Sequence, residues 1–157
     1  MATTNTLTVL QARVRSVAAQ NSNDGLITDA WLLAALNETL EEIVVEHDWY
    51  WLEAEDTITT TASDGTYAKP SDWARTQTLY HEDKDDPLIY LPRKEILIYR
   101  TRDGFPRYYS FYKNEIIIGP RPSVSGQTIY HEYITEETTL SAGSSVPVLP
   151  DRYCPYL

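Results

Sequence analysis

Residues 43–61, IVVEHDWYWLEAEDTITTT, mark the point at which the sequence pattern of the chain changes. Before Trp49, apolar residues recur every three or four positions, which is the period of an amphipathic helix. After Trp49, apolar and polar residues alternate and threonine and isoleucine become frequent, which predicts short strands. The sequence therefore predicts helices first and a β-rich part afterwards.

Two helices are predicted before this point. The apolar face of the first contains Leu7, Leu10, Val14, Val17 and Ala18. A polar, glycine-containing stretch at residues 21–25 predicts a turn after it. The second helix is predicted to begin near Thr28, whose hydroxyl suits an N-cap, with Asp29 in the first turn.

The second helix has two predicted faces. Its apolar face would contain Leu32, Leu33, Leu36, Leu40, Ile43, Val44 and His47. Its solvated face would contain Glu38, Glu41, Glu42 and Glu46. Two such helices joined by a short loop form a helical hairpin, and each helix needs a partner to cover its apolar face.

Short strands are predicted from Trp49 onward. They lie near residues 58–61, 76–80, 88–91, 108–112, 115–118 and 127–133. Lys113-Asn114, between two apolar runs, predicts the clearest hairpin turn. Asp85-Asp86-Pro87 predicts a break between strands, whereas residues 93–100, after Pro92, fit either a short helix or another strand.

The predicted fold class is α+β, with an N-terminal helical hairpin packed beside a small antiparallel β-sheet or barrel subdomain. We expect a single domain over residues 1–157, with the hairpin at 1–48 and the β-rich part at 49–140. Residues 141–157 would form a C-terminal arm or the start of a helix. The end of this segment is apolar and aromatic, which predicts that it packs against something.

Composition narrows the classes of function. The 157 residues have a formal net charge of −10, which repels a phosphate backbone and argues against tight wrapping of DNA or RNA. Cys154 is the single cysteine, so no internal disulfide is expected. No apolar run approaches the roughly 18 residues of a membrane span, and the N-terminus lacks the pattern of a signal peptide. We therefore expect synthesis in a cytoplasm-like compartment and no membrane contact.

Residues that could perform catalysis or bind a metal do not form a recognisable motif. His47, His81, His131 and Cys154 lack metal-ligand spacing, and the special case we favour among them is a buried or partner-satisfied His47. Residues 81–86 are acidic but lack the glycine and downstream glutamate of a calcium loop, which indicates a solvated turn. Neither a nucleophile elbow nor a phosphate-binding loop is present. We predict no metal, no cofactor and no enzymatic activity.

Aromatic residues are the more informative feature, since tyrosine and tryptophan are enriched at protein interfaces and in sugar-binding clefts. Trp49, Tyr50 and Trp51 lie where helix gives way to strand, and they predict a junction core, a stacking platform for sugar or a subunit contact. Alternation places Tyr108 and Tyr112 on one face of a strand and Tyr109 and Phe111 on the other. A strand that is aromatic on both faces implies a partner surface or a second layer.

Five short motifs occur in a characteristic order along the chain. They are HDWYWL at 47–52, YAKPSDW at 67–73, DGFPRYY at 103–109, IIIGPRP at 116–122 and PVLPDRY at 147–153. In this order they resemble the head-to-tail adaptor proteins of tailed bacteriophages. The resemblance implies a structural virion protein of the neck, which forms a ring under the portal, extends the DNA channel and docks the tail. In similar proteins the last motif opens a longer helix.

The resemblance also implies partners and contact residues. The partners would be the portal protein, tail or nozzle proteins and further copies of the chain, in a ring that is usually twelvefold, with DNA passing through without specific binding. Assembly would take place in the cytoplasm of a bacterial host. Candidate portal contacts are Tyr153, Tyr156 and Leu157. Candidates for a lumen or subunit face are Glu38, Glu41, Glu42 and Glu46. Candidates for a junction core or interface are Trp49, Tyr50, Trp51 and Trp73.

Three other functions fit the residues, and one of them is that of an outer-capsid or tail-tube protein of the same virus class, which would share the composition and differ in symmetry. A carbohydrate- or receptor-binding β module of a phage tail would use Trp49, Trp51, Trp73 and Tyr109 as a stacking cleft. A small hydrolase would use two of the many carboxylates as an acidic pair facing one another across a cleft.

Overall fold

In a computed structural model, the chain folds into two compact units. Residues 1–52 and 136–157 form one, here called the helical unit, and Glu53–Thr135 forms the other, here called the β unit. The structure describes residues 5–17, 27–82, 84–136, 139–147 and 149–150, with the backbone alone at residues 84 and 85.

Two helices dominate the helical unit. Helix α1 spans Leu7–Val17 and α2 spans Asp29–Glu46, and a 3-10 turn follows at Tyr50–Leu52. The hydroxyl oxygen of Thr28 accepts a hydrogen bond from the backbone N–H of Trp31 at 3.1 Å. This bond satisfies one of the N–H groups that a helix leaves free at its start. The predicted beginning of the second helix and its capping residue are both confirmed.

Leucines from both helices share one core. Its buried members are Leu7, Leu10, Leu36, Leu40, Leu140 and Leu149. Leu140 and Leu149 come from the far end of the chain, and Asn37 fixes that segment to α2. Asn37 Nδ2 donates to the Leu140 carbonyl at 3.1 Å, and Asn37 Oδ1 accepts from the Leu140 N–H at 2.9 Å. The hairpin is thus completed by residues about a hundred positions away in sequence.

The predicted helix faces are wrong at their ends. Val17, assigned to the apolar face of the first helix, is 88% exposed. His47, assigned to the apolar face of the second, follows the end of α2 in an extended conformation (φ −144°, ψ 161°), and its side chain is 61% exposed. A residue beyond the last helical turn no longer follows the helical period, which explains the error. Ala18 and the predicted turn at 21–25 lie outside the described residues.

The β unit contains the strands and one short helix. The strands are β1 Glu53–Thr59, β2 Thr66–Ala68, β3 Trp73–His81, β4 Lys84–Pro87, β5 Ile89–Tyr90, β6 Asp103–Gly104, β7 Tyr108–Tyr112, β8 Glu115–Gly119, β9 Arg121–Pro122 and β10 Thr128–Thr135. Helix α3 spans Arg93–Ile96.

The strands form two larger sheets and one small pair. The first sheet is antiparallel in the order β1-β10-β3-β4, and the second has the order β2-β8-β7-β5. In the second sheet β5 pairs with β7 in parallel, and β6 pairs with β9 in parallel as well. The α+β fold class predicted from the sequence is confirmed.

Residues of both larger sheets meet in one core. Its buried members are Ile58, Leu79, Leu88, Tyr109, Ile116, Ile118 and Ile129. In the first sheet, the strand register brings these residues together. Strand β10 lies between β1 and β3 and sets Ile129 opposite Ile58 and His81. The two sheets of the β unit therefore pack face to face around apolar side chains.

Local features of the β unit were predicted with mixed success. Lys113 and Asn114 join β7 to β8 as predicted, and Lys113 has the positive φ of 52° that suits a tight hairpin turn. The open choice at residues 93–100 is resolved as helix α3 and a following turn. Asp85-Asp86-Pro87, predicted as a break, belongs instead to β4, which pairs with β3.

Candidate interaction surfaces

The exposed side of α2 is strongly acidic. Glu38, Glu41, Glu42 and Glu46, here called the acidic face, are all exposed and line a shallow groove with Val45. The exposure predicted for these four residues is confirmed. Glu38 and Glu42, and also Glu42 and Glu46, are four positions apart on the helix, where like charges repel one another. Within the described part of the chain, Glu38, Glu41 and Glu42 pair with no lysine or arginine.

The tryptophans of the helix–strand junction cover the end of α2. Trp49 Nε1 donates a hydrogen bond to the carbonyl of Ile43 at 2.6 Å, and the rings of Trp49 and Trp51 stack at 4.5 Å. Trp51 packs against the leucine core of the helical unit. Tyr50 points outward and is 56% exposed. Trp49 and Trp51 are therefore half-buried packing residues, and Tyr50 is the most exposed of the three.

Trp73 belongs to the β unit and is covered there. The ammonium of Lys69 lies 3.6 Å from the centre of its ring, and the ring of Phe111 lies 5.3 Å away. Trp73 Nε1 donates to the hydroxyl of Thr76 at 3.0 Å. Tyr109, the fourth residue of the hypothetical sugar cleft, is buried in the core at 9% exposure. The faces of these two rings are in contact with protein and are not free to stack on a sugar.

A buried histidine also contacts the hydroxyl of Thr76. His131 Nε2 lies 2.8 Å from the hydroxyl of Thr76, and the residue is fully buried. Burial lowers the pKa of His131 below its ordinary value, because desolvation disfavours the charged ring more than Asp56 favours it. His131 is therefore neutral at pH 7. His47 is exposed, with its ring 5.2 Å from that of Trp49, so its predicted burial was wrong, and the buried histidines are His81 and His131.

Tyr133 lies two residues further along the same strand. Its hydroxyl donates to Asp72 at 3.1 Å. Burial, together with this hydrogen bond and the charge of Asp72, raises the pKa of Tyr133 to about 12. A tyrosine so far from ionisation is suited to holding a loop in place and not to acid–base chemistry at neutral pH.

A second exposed surface follows helix α3 and was missed by the sequence reasoning. Residues 93–100, here called the basic turn, expose Lys94 and Arg100 together with Leu97 (46%) and Ile98 (61%). The distribution of charged residues along the sequence contained a signal for this surface. Residues 93–113 contain six of the thirteen lysines and arginines and only two acidic residues, in a chain whose net charge is −10.

Among the described residues, no three His, Cys, Asp or Glu side chains come together in a way that would hold a metal ion. No helix in the described ranges is both long and apolar enough to cross a membrane. A groove of about 490 Å³ opens beside β5, lined by residues that include His81, Asp86, Phe105 and Arg107. The predicted portal contacts Tyr153, Tyr156 and Leu157 lie outside the described residues.

Comparison with known proteins identifies the family. No curated protein matches the chain. The family model described as SU10 adaptor protein matches residues 5–157, which includes both units. This is a phage head–tail adaptor family, whose members are structural virion components and not a class of enzymes, and which interact with other head or tail components. The chain belongs to the SU10 adaptor protein family.

Proposed function

We propose that copies of this chain form a closed ring in the neck of the virion, between the portal and the tail. Family membership over residues 5–157 is the observation that supports this most strongly. The ring would extend the DNA channel and present a docking surface for tail or nozzle proteins. Twelve copies is the number that the resemblance to head-to-tail adaptors implies. The role is one of binding and geometry, without catalysis.

The charge of the chain fits a channel that DNA must pass through. Proteins that hold DNA do so largely through lysine and arginine contacts to phosphate. A formal charge of −10 per copy gives a ring with a large negative charge, which opposes adhesion of the duplex during packaging and ejection. No sequence-specific contact with DNA is needed for this role.

The chemistry of the C-terminal residues fits a portal contact. Tyr153, Tyr156 and Leu157 have the large apolar and amphipathic side chains that are enriched in the buried centre of protein interfaces. We propose that they bind the portal. The proposal for these three residues rests on sequence and on the family resemblance.

Cryo-electron microscopy of virions, or of portal rings incubated with the purified chain, tests the proposal. We expect a closed ring directly beneath the portal, into which both units of this chain can be traced. Double replacement of Tyr156 and Leu157 by alanine should reduce binding to immobilised portal rings, whereas Val124→Ala, at an exposed position of the β unit, should not. Density for the chain elsewhere in the virion, with none at the neck, would refute the proposed function.

A further inference from the structure

The basic turn exposes aliphatic side chains at a place where the chain is firmly held. Ile96 is fully buried, and the ring of Tyr99 packs on Tyr108 at 4.6 Å between centres. Backbone bonds from the N–H groups of Tyr99 and Arg100 to the carbonyl of Ile96, at 2.9 and 3.0 Å, continue the coil beyond α3. Leu97 and Ile98 are therefore displayed on a rigid support, which limits the entropy lost when a partner binds.

Cations flank these two aliphatic residues. Lys94 and Arg100 are exposed, and the guanidinium of Arg93 lies over the ring of Tyr112 at 3.0 Å. Outside residues 93–113 the chain has seven basic and twenty-one acidic residues. The basic turn is thus a positive and partly apolar patch on a protein that is otherwise strongly negative, and the surface that complements it is negative and partly apolar.

The acidic face of α2 has these properties. Four exposed glutamates surround Val45, which is 71% exposed, and the groove between them is shallow and open. Repulsion between glutamates at i and i+4 destabilises the isolated helix, and a cationic partner relieves it. Both surfaces are exposed within one chain, and they belong to different units.

We propose that the acidic face of one copy binds the basic turn of the next copy. The inference rests on the proposed ring and names the contact between its subunits. Because the two patches differ, the contact is heterologous, and repetition of a heterologous contact closes into a ring when the rotation allows it. The glutamates would then form the subunit face and not the lumen. Leu97 and Ile98 favour a protein partner over DNA, since phosphates offer nothing for them to contact.

A charge-exchange experiment tests this pairing. The first variant reverses the acidic face (Glu41→Lys with Glu42→Lys), and the second reverses the basic turn (Lys94→Glu with Arg100→Glu). Each variant alone should associate at least about tenfold more weakly than the wild type, because like charges then face one another. In an equal mixture each reversed patch meets its complement, so association should return and produce rings of alternating composition.

The design controls for nonspecific charge effects. The two variants have formal net charges of −6 and −14, so both remain negative and general attraction does not explain association of the mixture. Glu82→Lys with Glu115→Lys, at two exposed positions of the β unit, changes the net charge exactly as the first variant does. This control should associate like the wild type. Sedimentation velocity at 50 and 500 mM salt measures association in solution, and occupancy of immobilised portal rings measures it on the portal.

The outcomes separate this inference from the proposed function. If both reversed variants associate like the wild type, or if the mixture fails to recover, the inference is refuted while portal binding by the wild type still supports the ring. If reversal of the basic turn abolished DNA binding and left association unchanged, that surface would be assigned to DNA and the inference would be refuted. If the wild type does not bind portal rings, the proposed function fails, and recovery in the mixture by sedimentation still decides the pairing.

Cross-linking of the wild type needs no substitution at all. The chain has four lysines, and Lys94 is the one in the basic turn. A carbodiimide joins lysines directly to nearby carboxylates, and a mixture of ¹⁴N- and ¹⁵N-labelled protein identifies bonds between copies. We expect mixed-isotope products that join Lys94 to residues 38–46 after chymotryptic digestion. Products between copies that involve only Lys69, Lys84 or Lys113 would contradict the pairing.

Discussion

The two units enclose their apolar cores in different ways. In the β unit, Leu79, Ile116, Ile118 and Ile129 are completely buried between two sheets. Among the described residues, the core of the helical unit consists of six leucines, two of which come from the far end of the chain. Both units also expose some large apolar side chains. The β unit thus covers its core with two sheets, whereas the helical unit depends on two helices and on a segment that is distant in sequence.

We infer from this difference that the two units have different roles in stability. Two helices with a small core are marginal on their own, because helical stability in proteins comes mostly from packing of the apolar face. We expect the β unit to be the stable scaffold of each copy and the helical unit to gain stability when neighbours or the portal cover it. The following substitutions test that contrast, beginning with the largest expected effect.

Ile118→Ala should destabilise the β unit by about 2–5 kcal/mol, the range for removing a buried aliphatic side chain that leaves a cavity. Ile118 is completely buried in β8, within the core formed by both sheets. Amide hydrogen exchange within the β unit, followed at increasing urea concentration, measures the loss. Val124→Ala is the matched control, because Val124 is 56% exposed and its truncation should change stability by less than about 0.5 kcal/mol. Equal effects of the two substitutions would contradict the assigned core.

Asn37→Ala should destabilise the helical unit by about 1–3 kcal/mol, since it leaves two buried backbone groups of Leu140 without partners. Amide hydrogen exchange at Leu140 should become faster. Asn37→Asp keeps the acceptor for the Leu140 N–H but sets a carboxylate oxygen against the Leu140 carbonyl, so it should also destabilise the helical unit. If Asn37→Ala weakened the β unit by the same amount, the two units would unfold together and the contrast between them would not hold.

Features that depend on neighbouring residues were predictable from the sequence. The cap at Thr28, the burial of Leu36 and Leu40 and the turn at Lys113-Asn114 follow from helical spacing and from turn chemistry. Each of these depends on interactions within a few positions. The fold class follows from them, because two amphipathic segments and a series of short alternating segments leave few other architectures.

Features that depend on distant partners were not predictable. The pairing of β10 with both β1 and β3 joins residues 48 or more positions apart, and the contact between Thr76 and His131 joins residues 55 positions apart. The bond between Asn37 and Leu140 joins residues 103 positions apart. Periodicity contains no information about such partners, which is why the burial of His131 was not predicted and His47 was favoured as the buried or partner-satisfied histidine.

The two exposed surfaces, the acidic face and the basic turn, also differ in how far the sequence predicted them. The exposure of Glu38, Glu41, Glu42 and Glu46 was predictable because the helical period places them opposite the leucines. The basic turn was not recognised, because whether residues 93–100 form helix or strand decides which side chains point outward. Its charge was visible in the sequence, but the exposure of Leu97 and Ile98 required the structure.

His131 should make the β unit sensitive to acid. Because its pKa in the folded chain lies below its ordinary value of 6.5, the unfolded chain binds a proton first as the pH falls. Stability is therefore complete above about pH 6.5 and declines below it, by up to about 1.4 kcal/mol for each unit of difference in pKa. His131→Gln should flatten this decline between pH 7 and pH 5 in urea denaturation. His47→Gln, at an exposed position, should retain the slope of the wild type. Equal slopes in all three proteins would contradict a buried neutral His131.

Thr28→Ala should have the smallest effect, a loss of about 1 kcal/mol confined to the helical unit. The hydroxyl accepts from the Trp31 N–H at 3.1 Å, and alanine leaves that N–H to water at an exposed helix end, where the cost is modest. Thr28→Ser retains the acceptor and should behave like the wild type. Far-UV circular dichroism during thermal unfolding measures the change, while amide hydrogen exchange within the β unit reports that unit separately. A similar loss in the β unit would show that even the weakest change in α2 reaches the scaffold, whereas a loss that disappears once copies assemble would show that neighbouring copies stabilise the helical unit.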